Sequence, residues 1–422
     1  MKSKSGTYKL LELCDISSSK RIFQKEYVNL GIPFFRSKEI IDKAHGTFKS
    51  QDLLYISHER YEEIKSKFPV PQAGEMLLSS VGNRSGIPYV IKENDGEFYF
   101  KDGNLIWFKE FDNLDSNYLS YWIKSRKGQS ILNGIMIGSA QKALTISGIQ
   151  NLEITIPPLP TQKKIAHILS TLDNKIELNR KMNQTLEEMA QALFKSWFVD
   201  FDPVHLKARY KSEEELEAGA KELGISKEIL ELFPSEFVES EMGMIPLGWE
   251  VVKIENILKR YRAPKRYKKD AVKSYGKTIV LEQGADIILG YHDDIGEFEA
   301  TSEEPMFIFG DHTCVMKLST KPFSISENVI PLSGSIRNGY WTYYATYGQQ
   351  AFQEYRRHWS ELTVRDTVLA DEDICNFFAK QVQPLILKIE QNILENNELV
   401  MTRDTLLPKL LSSELDVSEV EI

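Results

Sequence analysis

The densest run of chemically capable side chains lies between Lys259 and Lys277. Nine of its nineteen residues are basic (Lys259, Arg260, Arg262, Lys265, Arg266, Lys268, Lys269, Lys273, Lys277), and its single acid is Asp270. Tyr261, Tyr267 and Tyr275 are interleaved. Cations of this density neutralise phosphates, and tyrosines add hydroxyl donors or a ring for stacking. Arg262, Lys265, Arg266, Tyr267, Lys268 and Lys269 are therefore candidate DNA contacts. Arg337 and the group Tyr355-Arg356-Arg357-His358-Trp359 carry the same chemistry farther along, with Arg356 and Arg357 as candidates. The first half of the chain is less explicit. Its candidates are Lys20 and Arg21, Arg36 and Lys38, and the turn Gly82-Asn83-Arg84-Ser85-Gly86. There the two glycines let the backbone bend while Asn83, Arg84 and Ser85 project. A solvated basic loop and an ordinary strand-connecting turn fit these residues too, so the weight falls on what positions them.

Catalytic motifs do not compete with this reading. The one Pro-Pro pair, Pro157-Pro158, follows Ile156, so the Asn/Asp-Pro-Pro-aromatic motif of adenine methyltransferases is missing. The sequence contains no GxxxxGK[ST] phosphate loop. The nearest approach to a metal-dependent nuclease is Glu63-Ile64-Lys65 with Asp52 upstream, in a stretch that reads as a solvated helical face. His292-Asp293-Asp294 and Asp311-His312 could hold a metal only if the fold brought them together. No bound metal is expected.

The net charge of −9 over 422 residues is locally concentrated. Between Lys211 and Gly243 there are ten acids against three lysines, and the tail after Leu411 adds Glu414, Asp416, Glu419 and Glu421. The rest of the chain is slightly basic, so global charge does not exclude nucleic acid. Composition is globular, with 42% hydrophobic and 27% charged residues, and the length suits two to four structural units. No apolar run is long enough to span a membrane, and the basic N-terminus lacks the apolar core of a secretory signal. Cys14, Cys314 and Cys375 lie far apart and suggest neither a disulfide framework nor a zinc site. A cytoplasmic protein without membrane association is expected.

The positioning elements emerge from an internal repeat. At an offset of 213 residues, Lys175 matches Lys388, Ile176 matches Ile389, Asn179 matches Asn392, Asn183 matches Asn396, Leu186 matches Leu399 and Leu193 matches Leu406. The first copy runs Ile165, Leu169, Leu172, Ile176, Asn179, Asn183, Leu186, Ala190, Leu193, Trp197. The second runs Phe378, Val382, Leu385, Ile389, Asn392, Asn396, Leu399, Arg403, Leu406, Leu410. Spacing that alternates four and three is a coiled-coil seam. Paired seam asparagines cost stability but fix register. Tyr8-Lys9-Leu10 and Trp249-Glu250-Val251 each open a region of mixed strand and turn signals ahead of its helix. Connectivity then makes the two helices antiparallel, separating the two domains by a rod of about 55 Å. Pro384, inside the second helix, is expected to kink or split it.

Several segments resemble the specificity subunits of type I restriction–modification systems. Pro157-Pro158-Leu159-Pro160-Thr161-Gln162-Lys163-Lys164-Ile165-Ala166, Leu172-Asp173 with Lys175-Ile176, and Leu193 through Phe201 are similar to their central conserved region. Phe233-Pro234 through Ile245-Pro246-Leu247-Gly248-Trp249 resembles the approach to their second recognition domain, and Leu406 through Ser412 their C-terminal helix ending. The resemblance spans the whole chain in order. It implies an α+β chain with two mixed α/β target-recognition domains, each reading half of a bipartite site in double-stranded DNA. It implies two long helices pairing as an antiparallel coiled coil with a pseudo-twofold repeat. That coil would act as a ruler and dock two modification subunits. It further implies that those partners carry S-adenosylmethionine, that restriction subunits supply ATP- and Mg-dependent translocation and cleavage, and that this chain is non-catalytic and holds no cofactor. The second copy departs from the pattern at its start, where Ala370-Asp371-Glu372-Asp373-Ile374 replaces Pro-Leu-Pro-Thr-Gln.

The expected boundaries are 1–158 and 248–369 for the recognition domains, and 159–203 and 370–415 for the conserved helices. An acidic linker, 204–247, and an acidic tail, 416–422, complete the chain. Two other readings stay open: a coiled-coil scaffold without DNA specificity of its own, and an enzyme of unrecognised class.

Overall fold

The computed structural model describes residues 5–50, 53–138, 142–210, 212–284, 287–354 and 356–420. Asp52, Tyr355 and Glu421, named above, lie outside the described residues. The chain divides into two compact units, Met1–Leu178 with Glu398–Ile422, and Asn179–Asn397. The division therefore cuts through both long helices rather than at their ends, and each unit contains a stretch of both.

In the first unit, a four-stranded antiparallel sheet runs in the order Asp15–Ser17, Leu105–Lys109, Met76–Ser79, Pro88–Val90. A second sheet runs Tyr27–Val28, Leu54–Ile56, Ile32–Phe35, Tyr99–Phe100, its last pair being parallel. Met76, Leu77 and Leu78 are all fully buried, as expected of a strand covered on both faces. The N-terminal strand Gly6–Lys9 pairs antiparallel with Glu153–Ile156, just ahead of the first long helix.

The second unit repeats this plan. Its four-stranded sheet runs Leu258–Arg260, Val329–Gly334, Met306–Gly310, Met316–Ser319, again antiparallel throughout. Its other sheet runs Ile288–His292, Thr278–Leu281, Phe323–Ile325, with the last pair parallel. Glu250–Lys253 pairs antiparallel with Asp366–Leu369, again just ahead of a long helix. The antiparallel sheets of the two domains thus share strand order and sense, the other sheets share three strands with Tyr27–Val28 as an addition in the first domain, and the openings at Tyr8 and Trp249 fall at equivalent places in the plan.

The long helices are Leu159–Phe198 and Glu372–Leu411, each of 40 residues. Neither contains glycine. Pro160 sits in the first turn, where its missing N–H has no partner to lose. Pro384, expected to kink or split the second helix, does not split it. Its ring is on the exposed side, so the ladder loses a donor where water can satisfy the orphaned carbonyl. The helices pair antiparallel. In the second unit Asn179 meets Asn396 while Asn183 meets Asn392, and in the first unit Asp173 meets Arg403. Ile165, Leu169, Ile176, Phe378, Val382 and Ile389 are buried, whereas Leu172, Leu186, Leu193, Leu399 and Leu406 are half-buried. At one position the seam shifts by a residue: Leu385 is half-buried and Ile386 buried.

Residues 204–247, read from sequence as a linker, are folded. They form helices Asp202–Arg209, Glu213–Glu222 and Lys227–Leu232 and the hairpin Phe237–Ser240 with Gly243–Pro246. Val204, Ala220, Leu230, Phe233 and Ile245 enter the same core as Trp197 and Phe378. The acidic side chains occupy the outer faces, so composition was dominated by surface and hid the apolar positions.

Candidate nucleic-acid interface

Each helix is tied to its domain by a buried or half-buried polar side chain. Gln162 is fully buried. Its amide donates to the carbonyls of Asn113 and Pro157 at 3.0 and 2.8 Å and its oxygen accepts from the Asp115 N–H at 2.9 Å. The second copy lacks that glutamine. Arg337 replaces it functionally, donating through Nε and Nη2 to the Ala370 carbonyl at 3.0 and 2.8 Å, while the Asn338 amide donates to the Cys375 carbonyl. Arg337, a candidate DNA contact by sequence, thus anchors the second helix.

The basic run of the second domain separates into two classes. Arg262, Lys265, Arg266, Lys268 and Lys269 are all exposed, and they differ in what holds their charged ends. Lys265 lies 4.1 Å over the Tyr267 ring and its hydrogen bond to that tyrosine raises its pKa. Lys268 contacts Glu327 at 3.9 Å. Arg266 is committed elsewhere, its Nη1 donating to the carbonyls of Ser326 and Val329 at 2.9 and 2.8 Å. Tyr267 is buried and stacks on His292 at 4.5 Å with an interplanar angle of 3°; its ring is not on the surface. Tyr275, by contrast, is 63% exposed.

The two basic groups of this domain meet where the Arg260 guanidinium lies 5.3 Å over the Trp359 ring. Arg357 is 80% exposed, with Asp311 at 3.8 Å, whereas Arg356 is paired with Glu354 and Glu361. Asp311 accepts from the backbone N–H groups of His358 and Trp359, and the His292 ring bonds Ser324. Both residues, considered above as metal ligands, hold the domain's own structure. Among the described residues, no three His, Cys, Asp or Glu side chains gather as a metal site. Glu63 is engaged by Arg60 and Lys67 on its helix surface, and both lower its pKa.

In the first domain, Arg21 and Arg36 line one cleft of about 640 Å³ together with Gln24, Tyr27, Lys101, Asp102 and Asn104. Arg21 donates through Nε to Asp102 at 2.9 Å. Arg36 is clamped to Glu39, whose carboxylate also accepts the Arg36 backbone N–H. Burial raises the Tyr27 hydroxyl pKa, opposed by the nearby Arg36 charge. Lys101, Asp102 and Asn104 were not singled out from sequence. The available signal was the strand-to-strand turn Lys101-Asp102-Gly103-Asn104, in which Gly103 takes a φ of 78°. Lys20 lies 4.4 Å over the Phe68 ring, and Lys38 is exposed on the helix Ser37–His45. In the Gly82–Gly86 turn both glycines have positive φ, Asn83 and Arg84 are exposed, and Ser85 is half-buried, its backbone N–H bonding the Gly82 carbonyl.

Residues 2–188 match the family model described as the type I restriction modification DNA specificity domain. The chain is 27% identical over 425 residues to the type I restriction enzyme MjaIX specificity subunit of Methanocaldococcus jannaschii, covering 94% of this chain and 89% of that one. It is 27% identical over 326 residues to the HindI specificity subunit of Haemophilus influenzae, covering 64% and 71%. Its fold is shared with the crystal structure of a type I restriction–modification S subunit from M. genitalium, at TM-score 0.56 and 14% identity over 97% of this chain and 96% of that one. The repeated domain plan on a paired helix scaffold and these likenesses point the same way: residues 2–188 match the type I DNA specificity domain family, and most of the chain is similar to specificity subunits of type I restriction enzymes.

Proposed function

We propose that this chain is the non-catalytic reading subunit of a type I restriction–modification enzyme, each of its two domains recognising one half of a bipartite double-stranded DNA target. The observation that carries this is the duplicated domain plan, matching strand for strand in the four-stranded antiparallel sheet but lined by different side chains. Two readers of one architecture with unlike surfaces suit a target whose halves differ in sequence. The paired helices space the readers and present the docking surface for two modification subunits. Those partners carry S-adenosylmethionine and methylate adenine; restriction subunits add ATP and Mg chemistry, and no cofactor resides on this chain. Among the described residues no helix is long and apolar enough to cross a membrane, in keeping with work on DNA in the cytoplasm.

The test is a methylome. The chain is co-expressed with its modification subunit in a methylation-free host, and native DNA is sequenced for modified adenines. A split motif with a fixed unspecified spacer, absent when the chain is omitted, is the expected result. A continuous motif, or the same motif without this chain, overturns the proposal and leaves a scaffold. Methyl transfer or DNA cleavage by the purified chain alone would overturn the non-catalytic part.

A further inference from the structure

The cleft beside Arg21 carries an assignment finer than DNA binding, and it rests on the reading just proposed. Arg21 is 68% exposed while its Nε is held by the Asp102 carboxylate, itself only 18% exposed. Arginine carries five N–H donors in a rigid plane. A carboxylate gripping Nε fixes that plane from one side and leaves the two terminal nitrogens as a fork at the open end. A fork of parallel donors requires two adjacent acceptors. In the major groove only guanine presents two, O6 and N7; adenine offers one acceptor beside a donor, thymine one acceptor, cytosine a donor.

The neighbours are deployed differently. Arg36 has Nε and Nη2 on Glu39, so its charge is paired within the domain and it offers no free fork. Lys101, a point charge on the same cleft wall, suits a phosphate.

We propose that Arg21 is a specificity-determining residue that reads a guanine in the half-site of the first domain. Asp102 is its positioning residue, and Lys101 holds backbone phosphate beside it. The side chains of this cleft all belong to the first domain, so the effect of changing them is confined to one half of the target.

The experiment is the methylome of the assembled complex carrying Arg21→Ala, Arg21→Lys, Asp102→Asn or Lys101→Ala. With Arg21→Ala, one guanine of one half-site becomes degenerate, discrimination there falling roughly 5- to 150-fold, while the other half-site and the spacer stay as they were. Arg21→Lys gives the same degenerate position, because an ammonium cannot make two parallel bonds. Asp102→Asn weakens the same guanine preference without abolishing it. Lys101→Ala leaves every base of the motif intact and lowers methylation at all sites together. Arg21→Lys keeps the charge at an exposed position, so it decides the matter even if the alanine variant does not assemble. A motif unchanged at every base in Arg21→Lys overturns the proposal, as does a loss spread over both half-sites. If the unaltered chain yields no split motif, the DNA-reading assignment fails and this inference falls with it; a split motif that Arg21 does not affect sinks the inference alone.

Discussion

The Asn179 amide donates to the side-chain oxygen of Asn396 at 2.9 Å, and the Asn392 amide donates to that of Asn183 at 2.8 Å. Asn179 and Asn392 are repeat equivalents, as are Asn183 and Asn396. In each pair the first asparagine of one copy thus donates to the second asparagine of the other. The arrangement reverses onto itself, as a contact across a twofold axis does. Asn179 and Asn392 are both buried, and the side-chain oxygen of each lacks a hydrogen-bond partner. The apolar seam alone would tolerate a slip by a heptad; a slipped asparagine would face leucine or isoleucine.

Replacing Asn179 with alanine strands the Asn396 oxygen and is expected to cost about 1–3 kcal/mol. Adding Asn396→Ala should then cost less than it does alone, with a coupling of about 0.5–3 kcal/mol in a double-mutant cycle. Chemical denaturation of the four proteins measures it, and strict additivity would show that the amides do not interact.

The two classes of basic residue in the second domain should separate experimentally. Alanine at Lys265, Lys268 and Lys269 should lower the dependence of DNA affinity on salt by roughly 0.9 in log–log slope for each lysine seated on a phosphate. Thermal stability should be little changed, since these side chains are exposed. An unchanged slope and affinity would exclude this surface as a DNA contact.

Arg266→Ala should do the reverse. It releases the Ser326 and Val329 carbonyls and should cost about 1–3 kcal/mol of stability, read as a lower unfolding midpoint. Retention of full stability would mean that these two bonds are replaced by water at no cost.

Burial pushes the thiols of Cys14 and Cys375 up to about 12 and that of Cys314 to about 11. The folded state thus favours neutral thiols. Their contribution to stability is complete below the unfolded value of about 8.5 and erodes as pH rises toward the folded values. At pH 8 the native chain should resist alkylation at all three cysteines, each becoming reactive on unfolding. Rapid labelling of the native protein, read by mass spectrometry, would contradict this.

A matched pair of seven-residue insertions, between Asn183 and Leu186 and between Ile389 and Asn392, should preserve seam pairing. Each adds about 10 Å of helix, so the unspecified spacer of the methylated motif should grow by about three base pairs. An insertion in one helix alone should abolish assembly. A constant spacer after matched insertions would remove the ruler role.

How much of this was readable in advance follows the range of the interactions concerned. The seam was legible because burial at Ile165, Leu169 and Ile176 follows the local period of one helix. The one-residue shift from Leu385 to Ile386 was not, because helix faces drift against a strict heptad and packing chooses between adjacent apolar residues. The fate of the basic residues was hidden for another reason. Arg266 and Arg337 look like neighbouring cations in composition, but the carbonyls that bind them lie 60 and 33 residues away. Tyr267 was hidden likewise, since its stacking partner His292 lies on a separate strand. Arg21 and Asp102 are 81 residues apart, and only the sheet that sets the Lys101–Asn104 turn beside Arg21 makes them one feature.

The short ribbons that pair Gly6–Lys9 with Glu153–Ile156 and Glu250–Lys253 with Asp366–Leu369 have a consequence for inheritance. Each brings the first and last strands of a domain side by side, immediately before a long helix. A domain with adjoining ends is a cassette: a recombination event that replaces everything between the two strands alters neither the register of the helices nor the seat of a partner. On the function proposed above, each half of the target can then change independently of the other, and a population can acquire a new pairing of half-sites in one exchange.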